Sequence, residues 1–185
     1  MRHSFMAAVA DGLAERGIAT LRYQFPYMER GSKRPDPPRV AHATVRAAVT
    51  MASGLMPDVP LFAGGKSFGG RMTSQAQSDA ALPSIRGLIL VGFPLHPAGK
   101  PSQLRAEHLS TIQCPMLFLH GTRDDLADAA LMSDVAQRLG ERAALITFED
   151  ADHSFHVRVR SGRTDRQVLE SMLDAMAEWM GRVVN

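Results

Sequence analysis

Ser67 stands in the run Gly64-Gly65-Lys66-Ser67-Phe68-Gly69-Gly70, directly after the apolar stretch Val59 to Ala63 and before a helical pattern from Arg71 to Asp79. A serine in G-x-S-x-G spacing between a strand and a helix sits on a tight turn that lifts its hydroxyl above the sheet. Close backbone approach there is expected to leave no room for side chains two positions either way, which Gly65 and Gly69 satisfy, with Gly70 as added slack. The N–H of Phe68, at the start of the helix, is expected to face a developing oxyanion. The competing reading is a glycine-rich turn with a solvent-facing serine. A phosphate cradle fails on spacing, because Lys66-Ser67 lacks the G-x-x-x-x-G-K-[ST] loop ahead of it.

An alcohol is a poor nucleophile near neutral pH, so Ser67 needs a base, and the base needs an acid to orient it. Both are expected on loops at the same sheet edge, in the chain order serine, acid, histidine. The acid is expected from His120-Gly121-Thr122-Arg123-Asp124-Asp125, with Asp124 preferred. Asp125 is the alternative, unless its carboxylate caps a helix beginning near Leu126. The base is expected from Asp152-His153-Ser154-Phe155-His156, with His153 preferred and His156 the alternative if the loop curls. His120 is expected to pack or hydrogen-bond beneath the site. His96, Lys100, Phe93 and Leu95 line either a pocket or an exposed loop, and Arg123 either attracts an anionic substrate or pairs with an acid. Lys66 occupies the variable position of the turn and receives no role. Cys114 reads as a packed, inert thiol. No His, Cys or carboxylate spacing recommends a metal, and the chemistry needs no organic cofactor.

These side chains must be carried to one edge by the elements between them. Phe5, Val9 and Leu13 recur at helical spacing in MRHSFMAAVADGLAERG, which Gly17 ends. Ile18 to Phe25 reads as a strand stopped by Pro26, residues 29 to 39 as an exposed charged loop, and Val45 to Gly54 as a helix. Val59 to Ala63, Ile85 to Val91, Pro115 to Leu119 and Ala144 to Phe148 read as buried strands. Residues 126 to 139 and Asp165 to Met180 read as helices, the latter with Met172, Met176 and Met180 as core. Strands alternating with helices predict a three-layer α/β fold, an open and mostly parallel sheet with helices on both faces, in one domain spanning 1–185. Ligands of such sheets bind at the carboxyl ends of the strands. The chain opens on a helix with no strand before it, which predicts a small sheet or an internal start within a longer protein.

Composition narrows the partners. The 185 residues carry 21 Lys+Arg against 19 Asp+Glu, a net charge of +2 that gives no reason to expect nucleic acid. No apolar stretch is long enough for a membrane span. One cysteine fits a reducing compartment, and a cytoplasmic location is expected.

GGKSFGG, HGTRDD and ADHSF together resemble the α/β-hydrolase superfamily, and more closely its branch of testis-expressed protein 30 and KAT8-regulatory NSL-complex subunit 3 type domains, near dienelactone-hydrolase-like proteins. The similarity takes in RYQFPYMERG and GFPLHPAGKPSQLR. It implies Ser67 as nucleophile, Asp124 as acid and His153 as base. It also implies that two or three strands and a histidine-glycine oxyanion loop precede the segment matching RHSFMAAVADGLAERG in related chains, one strand lying between Ile18–Phe25 and Val59–Ala63. A start codon placed inside a longer reading frame is the expected account, with exposed strand edges inviting a second copy. The function expected is hydrolysis of a small carboxylic ester, less readily a thioester or amide, in a shallow pocket formed by residues 26 to 38 and 93 to 104. The alternative is a non-catalytic interaction domain on the same fold.

Overall fold

The computed structural model describes residues 4–185; the first three residues of the opening helical pattern lie outside them. Six α-helices run in chain order: α1 (Ser4–Glu15), α2 (Pro26–Glu29), α3 (Pro38–Leu55), α4 (Phe68–Asp79), α5 (Ala129–Leu139) and α6 (Asp165–Val184). Four strands, β1 (Leu61–Lys66), β2 (Ile85–Val91), β3 (Met116–Gly121) and β4 (Ala143–Phe148), form one sheet, all pairs parallel, in the order β1-β2-β3-β4.

Side chains of a strand alternate between faces, and here each face meets its own helices. Leu88, Leu90, Met116 and Phe118 pack with Val45 of α3, Met72 of α4 and Met132 of α5. Val91, Leu117 and Leu119 point the other way, onto Val9 and Leu13 of α1 and Met172 and Trp179 of α6. Because both faces are covered, the strands read as unbroken apolar runs. Each fully buried side chain of this size contributes roughly 1.5–3 kcal/mol. α6 is fixed at its start by a capping box between Thr164 and Gln167, and it runs four residues past the expected end.

The register aligns the carboxyl ends. Lys66 pairs with Val91, Val91 with Leu119, and Gly121 with Phe148, so the segments that follow β1, β3 and β4 leave the sheet side by side.

Several expectations need correction. Ile18 to Phe25 forms no strand. The Ile18 N–H bonds back to Leu13, the Phe25 carbonyl accepts from Met28, and no ladder forms between them. Alternation of apolar residues specifies a face, but a ladder also needs a neighbour, and among the described residues β1 pairs only with β2. Between this segment, α3 and the free edge of β1 lies a mainly apolar cleft of about 410 Å³, lined by Leu13, Tyr23, Val45, Phe62 and Met176 among others. α5 begins at Ala129 and not near Leu126, because Asp128 is its cap, accepting from the Leu131 N–H at 3.0 Å. The proline-rich loop after β2 is not exposed at its base: Phe93, Leu95 and His96 are buried. His96 accepts the Asp128 N–H on Nε2 at 3.0 Å, which leaves Nδ1–H to donate to the Pro97 carbonyl at 2.9 Å. Its role is to tie this loop to the start of α5. The loop then winds into a 3-10 helix over Leu104–Thr111, with Ala106 and Leu109 inward.

Candidate active site

Ser67 joins β1 to α4 with φ 52° and ψ −117°. A side chain at positive φ is strained by roughly 1–3 kcal/mol, a cost that persists where surroundings over-determine it. Here its N–H donates to the Val91 carbonyl at 2.8 Å, and its carbonyl accepts from Arg71 at 3.1 Å. The turn closes through a contact between Gly65 and Gly70. A Cβ on Gly70 would stand 2.6 Å from the Gly65 carbonyl oxygen, and one on Gly65 3.0 Å from the Gly69 carbonyl carbon. Gly69 itself is not crowded, since its Cβ would meet only the Phe25 ring at 3.9 Å. The second tight glycine is therefore Gly70, and the expectation for Gly69 is corrected.

Asp124 lies in the turn after β3, its N–H bonded to the Gly121 carbonyl at 3.0 Å. Gly121 is required here, because any Cβ would collide with the Ala151 carbonyl. The Asp124 carboxylate is wholly buried. Its Oδ1 accepts the Leu126 N–H at 2.8 Å and its Oδ2 faces His153 Nδ1 at 2.7 Å. Asp125 is exposed, and it neither caps α5 nor bonds a histidine.

His153 rides a narrow turn after β4, pinched by an antiparallel bridge between Ala151 and Val157. Asp152 Oδ1 accepts the N–H groups of Ser154 and His156, and Phe155, at φ 63°, donates its N–H to the Asp152 carbonyl at 2.9 Å. The imidazole Nε2 lies 2.9 Å from Ser67 Oγ. Gly92, at φ 56°, lies against the ring. His156 instead pairs with Asp165 at 2.8 Å on the surface, which raises its pKa.

The Phe68 N–H has no protein acceptor among the described residues and lies in the first turn of α4, where a helix leaves such groups free. The Phe68 ring is held edge-on by Phe25 and Tyr27 at 5.3 and 5.9 Å. His120 is buried without a hydrogen bond on either nitrogen, and burial lowers its pKa, so it packs as a neutral ring. Arg123 donates to the Asp150 carbonyl at 3.1 Å and thereby braces the two loops. Burial raises the Cys114 pKa, consistent with an unreactive thiol.

Two residues were given no role from the sequence. His108 is pushed down to about 4, by burial first and by Arg71 second, and its Nε2 meets Ser74 Oγ at 2.8 Å. Lys66 Nζ donates to the His153 carbonyl at 2.8 Å. Among the described residues no group of three His, Cys or carboxylate side chains is placed to hold a metal, and no helix is long and apolar enough to cross a membrane.

Residues 1–181 match the model of the alpha/beta hydrolase domain family. The chain belongs to the α/β hydrolase family. Solved α/β hydrolases share its fold at low identity. A lidless α/β serine hydrolase from Xanthomonas campestris superposes with a TM-score of 0.73 at 23% identity, covering 97% of this chain and 75% of that one. A dienelactone hydrolase from Anabaena variabilis gives 0.73 at 16%, covering 98% and 80%. Est1E from Butyrivibrio proteoclasticus, solved with ferulic acid bound, gives 0.69 at 17%, covering 95% and 84%. The Ser67 turn is a sharp strand-to-helix elbow at the carboxyl end of β1.

Proposed function

We propose that this α/β hydrolase is a serine esterase acting on small carboxylic esters, with Ser67 as nucleophile, His153 as general base and Asp124 as its orienting acid. The observation that carries the reading is the unbroken hydrogen-bonded series Ser67 Oγ, His153 Nε2, His153 Nδ1, Asp124 Oδ2, at 2.9 and 2.7 Å. The buried Asp124 carboxylate accepts from Nδ1–H, which leaves Nε2 bare and ready for the serine proton. Ser67 Oγ attacks the ester carbonyl while its proton passes to Nε2. Asp124 stabilises the imidazolium that forms, and the Phe68 N–H supports the oxyanion. Nε2–H then protonates the departing alkoxide, leaving an acyl-serine and an alcohol. Water, deprotonated by the same nitrogen, releases the carboxylic acid and restores Ser67. The strain at Ser67 supports this reading over an interaction domain, since a scaffold gains nothing from a serine at positive φ. The likeness to testis-expressed protein 30 type domains and a cytoplasmic site of action belong to the same proposal.

Intact mass after treatment with a fluorophosphonate tests it. One adduct on the native chain, absent from a folded Ser67→Ala variant, is the expected result. A folded chain that takes no adduct overturns it.

A further inference from the structure

Lys66 is the elbow residue whose side chain binds the backbone of another loop. It leaves the end of β1, and its Nζ donates to the His153 carbonyl at 2.8 Å. Among the described residues nothing else donates to that carbonyl, although the neighbouring backbone of the turn is bonded internally. The same Nζ stands 5.1 Å from the Phe5 ring centroid of α1 and 5.9 Å from that of Phe155. Those rings stack on each other at 6.0 Å, and Phe155 meets Phe148 of β4 edge-on at 5.8 Å. A cation held over two aromatic faces keeps its attraction when partly desolvated, whereas a lone ammonium would not. Lys66 is half-buried, and burial lowers its pKa against the opposing pull of Asp124 and Asp152.

We propose that Lys66 is a positioning residue for the base: a strut that fixes the spacing between Ser67 and His153 by binding the backbone of the histidine turn. The proposal rests on the esterase reading for its catalytic consequence. Lys66 and Ser67 are adjacent in the chain, so the donor and the nucleophile share one rigid strand end. Asp124 restrains the imidazole from its Nδ1 side, and Gly92 lies against the ring. Neither holds the His153 backbone. Without the strut the tip of the turn loses its bond to the end of β1, and misplacement of a reacting group by about 1 Å costs on the order of 10²-fold in rate. Lys66→Met keeps the aliphatic stem and removes the donor. Lys66→Arg keeps both a donor and a cation able to stack on aromatic rings.

The test uses the whole chain with p-nitrophenyl acetate and a fluorophosphonate as probes, and hydrogen exchange of the amides of residues 152–156. Lys66→Met is expected to lower kcat and the labelling rate about 10- to 100-fold with KM little changed, and to speed exchange in the turn while β2 and β3 stay protected. Lys66→Arg is expected to restore most of the rate. A Lys66→Met chain that labels and turns over like the native one overturns the proposal. So does unchanged exchange in the turn, which is decisive even if Lys66→Met slows the reaction. If the native chain takes no label, the esterase reading falls, and the exchange comparison alone decides whether the strut holds the turn. If Lys66→Met does not fold, Lys66→Arg set against Lys66→Gln gives the same comparison.

Discussion

β1 borders two regions that treat its backbone in opposite ways. At its carboxyl end, polar groups find partners across several loops: Ser67 N–H with Val91, Lys66 with His153, and Asp124 with both Leu126 and His153. Along its outer edge, the strand faces an apolar cleft and a segment, Ile18 to Phe25, that joins no ladder. Unpaired backbone groups are costly when dry and cheap when wet. The difference teaches that the hydrogen bonds holding the site come from β2, β3 and β4 and the turns behind them, and that none of those named crosses the outer edge of β1.

The sharpest way to break that contrast is at its most connected point. Asp124→Asn is expected to lower kcat/KM for p-nitrophenyl acetate roughly 10³- to 10⁴-fold, as the equivalent change does in a serine protease. One amide oxygen cannot serve both the Leu126 N–H and His153 Nδ1–H, so the imidazole tautomer is released. Steady-state kinetics beside an unchanged circular dichroism spectrum checks this. Next comes the elbow itself. Gly70→Ala is expected to destabilise the fold by about 2–4 kcal/mol through collision with the Gly65 carbonyl, as overpacking and backbone strain do. Gly69→Ala, with open space and a helical backbone, is expected to change stability by less than about 1 kcal/mol. Urea midpoints of the two variants, side by side, decide whether the second tight glycine has been assigned correctly.

Smaller effects report on the flanks. Native-state hydrogen exchange is expected to show weak protection across residues 19 to 24 and strong protection across Leu88 to Val91 and Leu117 to Leu119. Equal protection in both would mean that the outer edge is as firmly bonded as the centre. The smallest effect is a pH dependence through His108. The unfolded chain binds a proton near the ordinary histidine value of 6.5, and the folded chain only near 4. Between those values the unfolded state holds more protons, so stability falls as pH drops from about 6.5 towards 4, and is fully present above it. His120, also lowered by burial, acts in the same direction. His108→Gln is expected to reduce the slope of Tm against pH in that window without abolishing it. A slope left intact would place the effect elsewhere.

How much of this was legible in the sequence follows from how far each signal reaches. The parallel strands were visible because Ile85 to Val91 and Met116 to Leu119 are apolar on both faces, which only a doubly covered sheet demands. The elbow was visible because strain and close approach need glycine at fixed spacing. The sequence favoured Asp124 over Asp125 without settling the choice, since one residue of turn geometry decides which carboxylate is buried. The missing ladder at Ile18 to Phe25 was hidden for a related reason: alternation describes a strand's own faces and is silent about its neighbour. Lys66 left no trace because its acceptor is a backbone carbonyl 87 residues away. No residue type marks such an acceptor.

Spatial order and chain order coincide in this sheet, and that has a consequence for synthesis. The strands are laid down as β1, β2, β3, β4, so each new one has its neighbour already made. Ser67 leaves the ribosome 86 residues ahead of His153, an interval of about 4–17 s at ordinary elongation rates. On the esterase reading, the serine of the elbow has no base to receive its proton throughout that interval. Reactivity then arrives last, with the turn after β4, and the nascent hydroxyl stays inert until the whole sheet has been made.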